Sequence, residues 1–155
     1  MTTEIVRYRP GLAPAFARLN REWLERFFTV EPLDEEYLGD PEGKIVAPGG
    51  EIFFALRSGV AVGTCAAIPH GAREFELAKL CVTPPAQGGG LGRVLVQRVL
   101  EFARERGAER VVLVSNSRLG PAIGLYESMG FEHRPFPGVP PYVDADVYME
   151  LSLTR

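Results

Sequence analysis

A glycine run at residues 87–92, with the sequence Gln-Gly-Gly-Gly-Leu-Gly, constrains this chain more than any other segment. The run lies between a strand-like stretch and a strongly amphipathic helical pattern. Glycine permits left-handed turns and a close approach of the backbone to a ligand. The first N–H groups of a helix have no intrahelical partner, and the helix dipole is positive at that end. The run therefore predicts an anion site that holds the phosphate groups of a cofactor.

Two well-known phosphate-binding motifs do not fit this run. A dinucleotide fingerprint requires Gly-x-Gly-x-x-Gly, and a start at Gly88 or at Gly90 leaves the last glycine missing. A P-loop ends in Gly-Lys-Ser or Gly-Lys-Thr, whereas Gly92 is followed by Arg93. Two interpretations remain: the signature Gln/Arg-x-x-Gly-x-Gly/Ala, and a flexible loop that only connects a strand to a helix.

The hydrophobic pattern predicts the order strand, helices, three strands, helix, strand, helix and two strands. Strands are predicted at residues 4–8, 52–56, 60–68, 74–82, 111–114, 131–134 and 143–153, the last two around a proline-rich loop at 135–141. Helices are predicted at 12–28 (closed by Pro32), at 34–38 with Asp34 as the N-cap, from the glycine run to Gly107, and from Pro121 to Gly130. This order predicts an α/β fold with a mixed sheet and helices on both faces.

Composition is typical of a single globular domain, here residues 1–155. The net charge is −3 and no cluster of Lys or Arg exceeds a pair, which argues against nucleic acid as a partner. No apolar run reaches membrane-spanning length and the first residues lack a secretory signal, so we expect a cytoplasmic protein without a membrane partner. Cys65 and Cys81 lie in apolar segments and are expected to be reduced core thiols, with no metal site.

The glycine run and its flanks resemble the GCN5-related N-acetyltransferase superfamily. The run carries the superfamily's signature, and the upstream residues 76–84, Glu-Leu-Ala-Lys-Leu-Cys-Val-Thr-Pro, are similar to its fourth strand. The downstream residues 122–131, Ala-Ile-Gly-Leu-Tyr-Glu-Ser-Met-Gly-Phe, are similar to its closing helix and strand. The resemblance covers residues 74–135 and implies a mostly antiparallel central sheet of six to seven strands.

The resemblance also implies acetyl-CoA as the acetyl donor. In this superfamily the pyrophosphate rests on the signature loop, and the pantetheine arm lies against the fourth strand, where a main-chain N–H polarises the thioester carbonyl. Arg93 adds positive charge at the pyrophosphate or is a solvated helix residue. Asn116 contacts the cofactor or hydrogen-bonds the backbone of its own loop. The implied cofactor-binding residues are Leu80, Cys81, Val82, Gln87, Gly88, Gly89, Gly90, Leu91, Gly92, Arg93, Asn116 and Tyr126.

Two residues are candidates for moving protons. The thiol that leaves has a pKa of about 8.5 by analogy with cysteine, so an acid that protonates it assists the reaction. Tyr126 matches the superfamily's general-acid tyrosine, and the alternative is an interior helix aromatic. Glu76 is the candidate base that deprotonates an amine, either itself or with water, and the alternative is an outward strand glutamate. An acylated Cys81 is disfavoured against a core cysteine.

The resemblance places the acceptor between the first helices and the last hairpin, with Phe28, Trp23, Tyr142, Phe27 and Tyr37 as candidate contacts. The implied function is acetyl transfer from acetyl-CoA to a primary amine of a small molecule or protein. One alternative is a non-catalytic sensor that binds acyl-CoA without turnover. Another is a nucleotide-binding regulator, which NAD or ATP but not CoA would stabilise. A homodimer is also expected from the resemblance.

Overall fold

Seven strands form one sheet in the order β1-β2-β3-β4-β5-β7-β6 in a computed structural model that describes residues 2–71 and 73–154. The strands are β1 (Thr3–Arg7), β2 (Glu51–Arg57), β3 (Val60–Pro69), β4 (Glu74–Val82), β5 (Arg110–Ser115), β6 (Glu132–His133) and β7 (Val147–Ser152). Neighbouring strands are antiparallel except β4 and β5, which are parallel. The predicted α/β fold with a mixed, mostly antiparallel sheet is confirmed.

Four α-helices cover the two faces of this sheet: α1 (Ala13–Phe27), α2 (Pro32–Gly39), α3 (Leu91–Glu105) and α4 (Gly120–Ser128). Successive residues of a strand point to opposite faces, so Phe53 and Phe54 of β2 enter two different cores. Phe53 meets Phe102 of α3 edge-on, with ring centroids 6.3 Å apart. Phe54 meets Phe16 of α1 edge-on at 6.4 Å. The sheet is therefore buried on both faces in its central part.

Two predictions about the segment around α2 are wrong. Pro32 begins α2 rather than only closing α1, because proline suits the first turn of a helix, where its missing N–H is not needed. The N-cap is Glu31, and Asp34 is the third helical residue of a capping box: its carboxylate accepts the Glu31 N–H at 2.9 Å. The predicted loop after α2 also contains one π-helical turn, Glu42–Val46.

The last two strands are shorter than predicted. β6 keeps only Glu132–His133, and β7 begins at Val147 rather than at residue 143. The intervening loop contains Pro135, Pro137, Pro140 and Pro141. Proline has no N–H to donate to a strand ladder, so pairing stops before this segment. Residues 134–146 form a long connection, which we call the proline-rich loop.

A β-bulge in β4 opens the centre of the sheet. Thr64 of β3 pairs with Cys81 and Ala66 pairs with Ala78, so Lys79 and Leu80 together face one residue of β3. Lys79 has a left-handed φ of 58°, which is rare for a residue with a side chain. β4 and β5 pair only from Glu74 to Glu76 and diverge beyond that point. The divergence creates the space in which the candidate site lies.

Both cysteines are buried, free thiols, as the sequence predicted. Burial raises the pKa of Cys81 to about 12, so the thiol is protonated at neutral pH. Within the described residues, no helix is long and apolar enough to span a membrane. The same part of the chain contains no group of three or more His, Cys, Asp or Glu side chains that could hold a metal ion.

Candidate active site

A cavity of about 590 Å³ lies where β4 and β5 diverge. It brings together most of the residues that the sequence singles out. The predicted residues that line it are Trp23, Phe28, Glu76, Leu80, Cys81, Val82, Gln87, Gly88, Gly90, Leu91, Gly92, Asn116, Tyr126 and Tyr142. Gly89 and Arg93 are not among the lining residues, and Arg93 instead donates a hydrogen bond to Ser128 Oγ at 2.8 Å.

The glycine run forms one end of the cavity. Gly88 and Gly90 have φ values of 86° and 83°, so both need the left-handed conformation that glycine adopts without strain. Gly90 is the N-cap of α3, and the first ladder bond joins the Val94 N–H to the Gly90 carbonyl at 3.2 Å. The N–H groups at the start of α3 precede that bond and lie outside the helical ladder. This end of the cavity suits an anion.

The side chain of Gln87 fixes the glycine run to β4. Its amide donates a hydrogen bond to the Val82 carbonyl at 2.9 Å. Leu80 in the bulge, together with Cys81 and Val82 just after it, therefore lines the cavity next to the glycine run. The Cys81 side chain itself belongs to the core under α1. The expectation that β4 presents main-chain groups to the ligand stays a prediction.

Tyr126 reaches the cavity from α4. It is 7% exposed, and its ring packs edge-on against Phe131 with centroids 5.9 Å apart. Burial raises the pKa of Tyr126 above its usual value near 10. The hydroxyl is therefore protonated throughout the neutral range, and its role as a proton donor stays a prediction.

Glu76 lies on the strand that leads to the bulge. Its side chain is 15% exposed, and a hydrogen bond of 2.7 Å joins its Oε1 to Nε2 of His70. This hydrogen bond is the main reason that the pKa of His70 is raised. Glu76 also lines the cavity, whereas His70 does not. The carboxylate is thus placed between the site and a half-exposed histidine.

A buried ion pair between Lys79 and Asp34 was not predicted from the sequence. The side chains are 8% and 4% exposed, and both residues line the cavity. Lys79 Nζ also donates to the Tyr142 hydroxyl at 3.2 Å and lies 5.1 Å from the centroid of that ring. The only sequence signal is a lysine within the otherwise apolar residues 77–82 of β4. The pair ties the β4 bulge to α2 and to the proline-rich loop.

The predicted acceptor residues cluster beyond the bulge. The rings of Trp23 and Phe28 are 5.6 Å apart, and the Arg118 guanidinium lies 4.7 Å from the centre of the Phe28 ring. Tyr142 is held by Lys79, and its neighbour Val143 donates its N–H to the Glu31 carboxylate at 3.1 Å. The proline-rich loop is thus joined to the start of α2, whereas Phe28 just after α1 contacts Arg118 between β5 and α4.

Asn116 makes one hydrogen bond within its own loop and one to the proline-rich loop. Its Oδ1 accepts the Arg118 N–H at 2.8 Å, and its Nδ2 donates to the Asp144 carbonyl. These bonds fit the alternative in which Asn116 orders its loop. Because it also lines the cavity, a contact with the cofactor remains a prediction.

Comparisons with known proteins identify the family. Residues 16–131 match the model of the acetyltransferase (GNAT) family. An uncharacterised N-acetyltransferase of Schizosaccharomyces pombe is 32% identical over 90% of this chain and 88% of its own length. N-acetyltransferase family 8 member 2 of Rattus norvegicus is 38% identical over 54% of this chain, but the match spans only 39% of that protein. The chain belongs to the GNAT acetyltransferase family and is an N-acetyltransferase by class.

Solved structures share the fold. A GNAT-family acetyltransferase of Staphylococcus aureus Mu50 superposes with a TM-score of 0.89, at 16% identity over 99% of this chain and all of that one. YncA of Salmonella typhimurium, solved with its cofactor acetyl-CoA, superposes with a TM-score of 0.76, at 23% identity over 100% of this chain and 96% of that one. At these identities the likeness supports the fold alone.

Proposed function

We propose that this chain transfers the acetyl group of acetyl-CoA directly to a primary amine of a small molecule or protein. The observation that carries the proposal is the gap between β4 and β5, which has an anion site at the glycine run and proton-transfer candidates at its walls. Family membership and the acetyl-CoA held by YncA support acetyl-CoA as the donor. When bound, it supplies a thioester that an amine can attack.

The donor half of the site holds the phosphates and orients the reacting group. The start of α3, with Leu91 and Gly92, presents N–H groups to the pyrophosphate. The bulged backbone at Leu80–Val82 supplies main-chain donors toward the thioester carbonyl, where negative charge develops during attack. Cys81 takes no covalent part, because its buried thiol has a pKa of about 12 and is not ionised at neutral pH.

Two side chains handle the protons. The hydroxyl of Tyr126, which is protonated at neutral pH, gives its proton to the leaving thiolate, and it regains a proton from the amine nitrogen, which loses its second proton as the amide forms. A free alkylamine is mostly protonated at neutral pH, since its pKa is about 10.4 by analogy with lysine. Glu76 accepts that proton, directly or through water, so that the neutral amine can attack.

Thiol release from acetyl-CoA over a panel of primary amines tests this proposal. We expect release that depends on the amine and equals the acetylated amine formed. Tyr126→Phe should lower kcat by about 100-fold or more with little change in the KM for acetyl-CoA, because it removes a proton donor but keeps the ring. Tight CoA binding with no acetylated amine from any panel member would instead support the sensor.

Three further expectations from the sequence remain proposals. The chain is a single domain over residues 1–155, it acts in the cytoplasm, and it forms a homodimer. Light scattering of the purified chain tests the dimer, and fractionation of cells that produce it tests the location. Thermal stabilisation by CoA but not by NAD or ATP is expected, and the opposite pattern would favour a nucleotide-binding regulator.

A further inference from the structure

A second cavity of about 220 Å³ adjoins the first at Glu76. Its floor is the sheet face formed by β4, β5 and β7, and its other walls are α2 and the proline-rich loop. Glu76, Val114 and Tyr142 line both cavities. Both cavities therefore include Glu76. Trp23 and Phe28 line only the first cavity, so the second cavity is formed by different elements.

Aromatic rings from three separate elements surround this space. Tyr37 comes from α2, Phe136 and Tyr142 come from the proline-rich loop, and Tyr148 comes from β7. The rings of Phe136 and Tyr148 are 5.6 Å apart. An apolar cavity of about 150 Å³ is large enough to hold benzene. The second cavity is therefore large enough for one aromatic ring or a similar apolar group.

The charged groups of this cavity favour a cation. Glu74 is bound by Arg110, with Nε and Oε1 2.7 Å apart, whereas the ionic partner of Glu76 among the described residues is His70, which offsets the carboxylate charge only when it is protonated. Lys79, the nearest buried lysine, is neutralised by Asp34. Lys79 Nζ already lies over the rings of Tyr37 and Tyr142, 5.7 and 5.1 Å from their centroids, so the Glu76 carboxylate supplies the attraction for an alkylammonium group.

We propose that this second cavity binds the acetyl acceptor as a primary amine that carries an aromatic or similarly bulky apolar group. The ammonium group lies at Glu76, and the apolar group lies among Tyr37, Phe136 and Tyr148. The inference rests on the proposed acetyl transfer and narrows its acceptor class. It also predicts that Trp23 and Phe28 contribute less to acceptor selection than the proline-rich loop does.

Kinetics with two matched amines, phenethylamine and propylamine, test the proposal. Phe136→Ala should raise the KM for phenethylamine by about three- to tenfold, the worth of one aromatic pair, and leave that for propylamine nearly unchanged. Val143→Ala is the matched control, because this side chain is on the same loop and is 91% exposed. Phe28→Ala should affect both amines alike.

A binding measurement separates this inference from the proposed chemistry. The CoA-loaded protein should be stabilised against heat by phenethylamine, and Phe136→Ala should weaken that stabilisation even if no acetyl transfer is detected. If transfer occurs but Phe136→Ala affects the two amines equally, or only Phe28→Ala discriminates between them, the cavity assignment is overturned. If phenethylamine binds at this cavity but no amine is acetylated, the proposed function fails and the binding site stands.

Discussion

The buried ion pair between Lys79 and Asp34 should carry a large part of the stability of the site. Both side chains are under 10% exposed, and their charges lie in direct contact. Asp34 also accepts the Glu31 N–H at 2.9 Å, which caps α2. Lys79 in turn donates to the Tyr142 hydroxyl at 3.2 Å. Removal of either charge therefore affects the β4 bulge, the start of α2 and the proline-rich loop together.

The expected magnitude follows from the burial of the charge that is left behind. Lys79→Met keeps the length of the side chain but leaves the Asp34 carboxylate buried without a cation, which costs about 3–5 kcal/mol. Asp34→Leu leaves the ammonium unpaired at a similar cost, and loss of the helix cap adds about 0.5–2 kcal/mol. Replacement of both residues removes both charges, so the double variant should cost much less than the sum.

Urea unfolding of the four proteins in this cycle measures the coupling between the two residues. We expect a coupling energy of at least about 2 kcal/mol, since each single variant leaves a buried charge that the double variant does not. Glu35→Gln is the control, because Glu35 follows Asp34 on α2 but pairs with Arg21 at the surface, at 2.6 Å. A Lys79→Met protein as stable as wild type, or additive single variants, would refute the reasoning.

Three further variants test other parts of the structure. Gly90→Ala places an alanine at a left-handed φ of 83°, so it should lower the free energy of unfolding in urea by about 1–2 kcal/mol and weaken CoA binding. Gly124→Ala within α4 is the control and should stabilise the protein slightly. Equal effects of Gly90→Ala and Gly124→Ala on stability would contradict the left-handed conformation of Gly90. The raised pKa of His70 means that its bond to Glu76 stabilises the fold fully below about pH 6.5 and loses this effect as the pH rises through the folded-state pKa. His70→Gln should thus lower the urea midpoint at pH 6 more than at pH 8, and a pH-independent loss would exclude a charged His70. Glu76→Gln should lower kcat/KM most at low pH, where more of the amine is protonated, and an unchanged pH profile would remove Glu76 as the base.

Local patterns in the sequence were enough to predict the order of the elements and the glycine run. The spacing at residues 87–92 predicts a turn before a helix, and the structure confirms left-handed Gly88 and Gly90 there. The capping error at Asp34 has a clear cause. Aspartate is a common N-cap, but Pro32 begins the helix earlier and leaves Asp34 as the third helical residue of a capping box with Glu31. The ion pair of Asp34 with Lys79, 45 residues away in the chain, leaves no mark in local periodicity.

The sequence singled out only Tyr37 and Tyr142 among the rings of the second cavity, and it did not predict the cavity itself. Its rings come from residues 37, 136, 142 and 148, which only the folding of the proline-rich loop over β5 and β7 brings together. The sequence pattern does mark that loop by its prolines, but it does not indicate which sheet face the loop covers. The resemblance to a family supplied the residues of the donor side, whereas the acceptor side depends on long-range packing.

Mass spectrometry of a single turnover tests the central claim most directly. The protein is mixed with acetyl-CoA that carries an isotope-labelled acetyl group and with an excess of a primary amine. The molecular masses of both the protein and the amine are then measured over time. Direct transfer at the gap between β4 and β5 predicts label on the amine nitrogen as thiol is released, with no acetylated protein at any time. Label on Cys81 before it reaches the amine, or thiol release without an acetylated amine, would contradict the account.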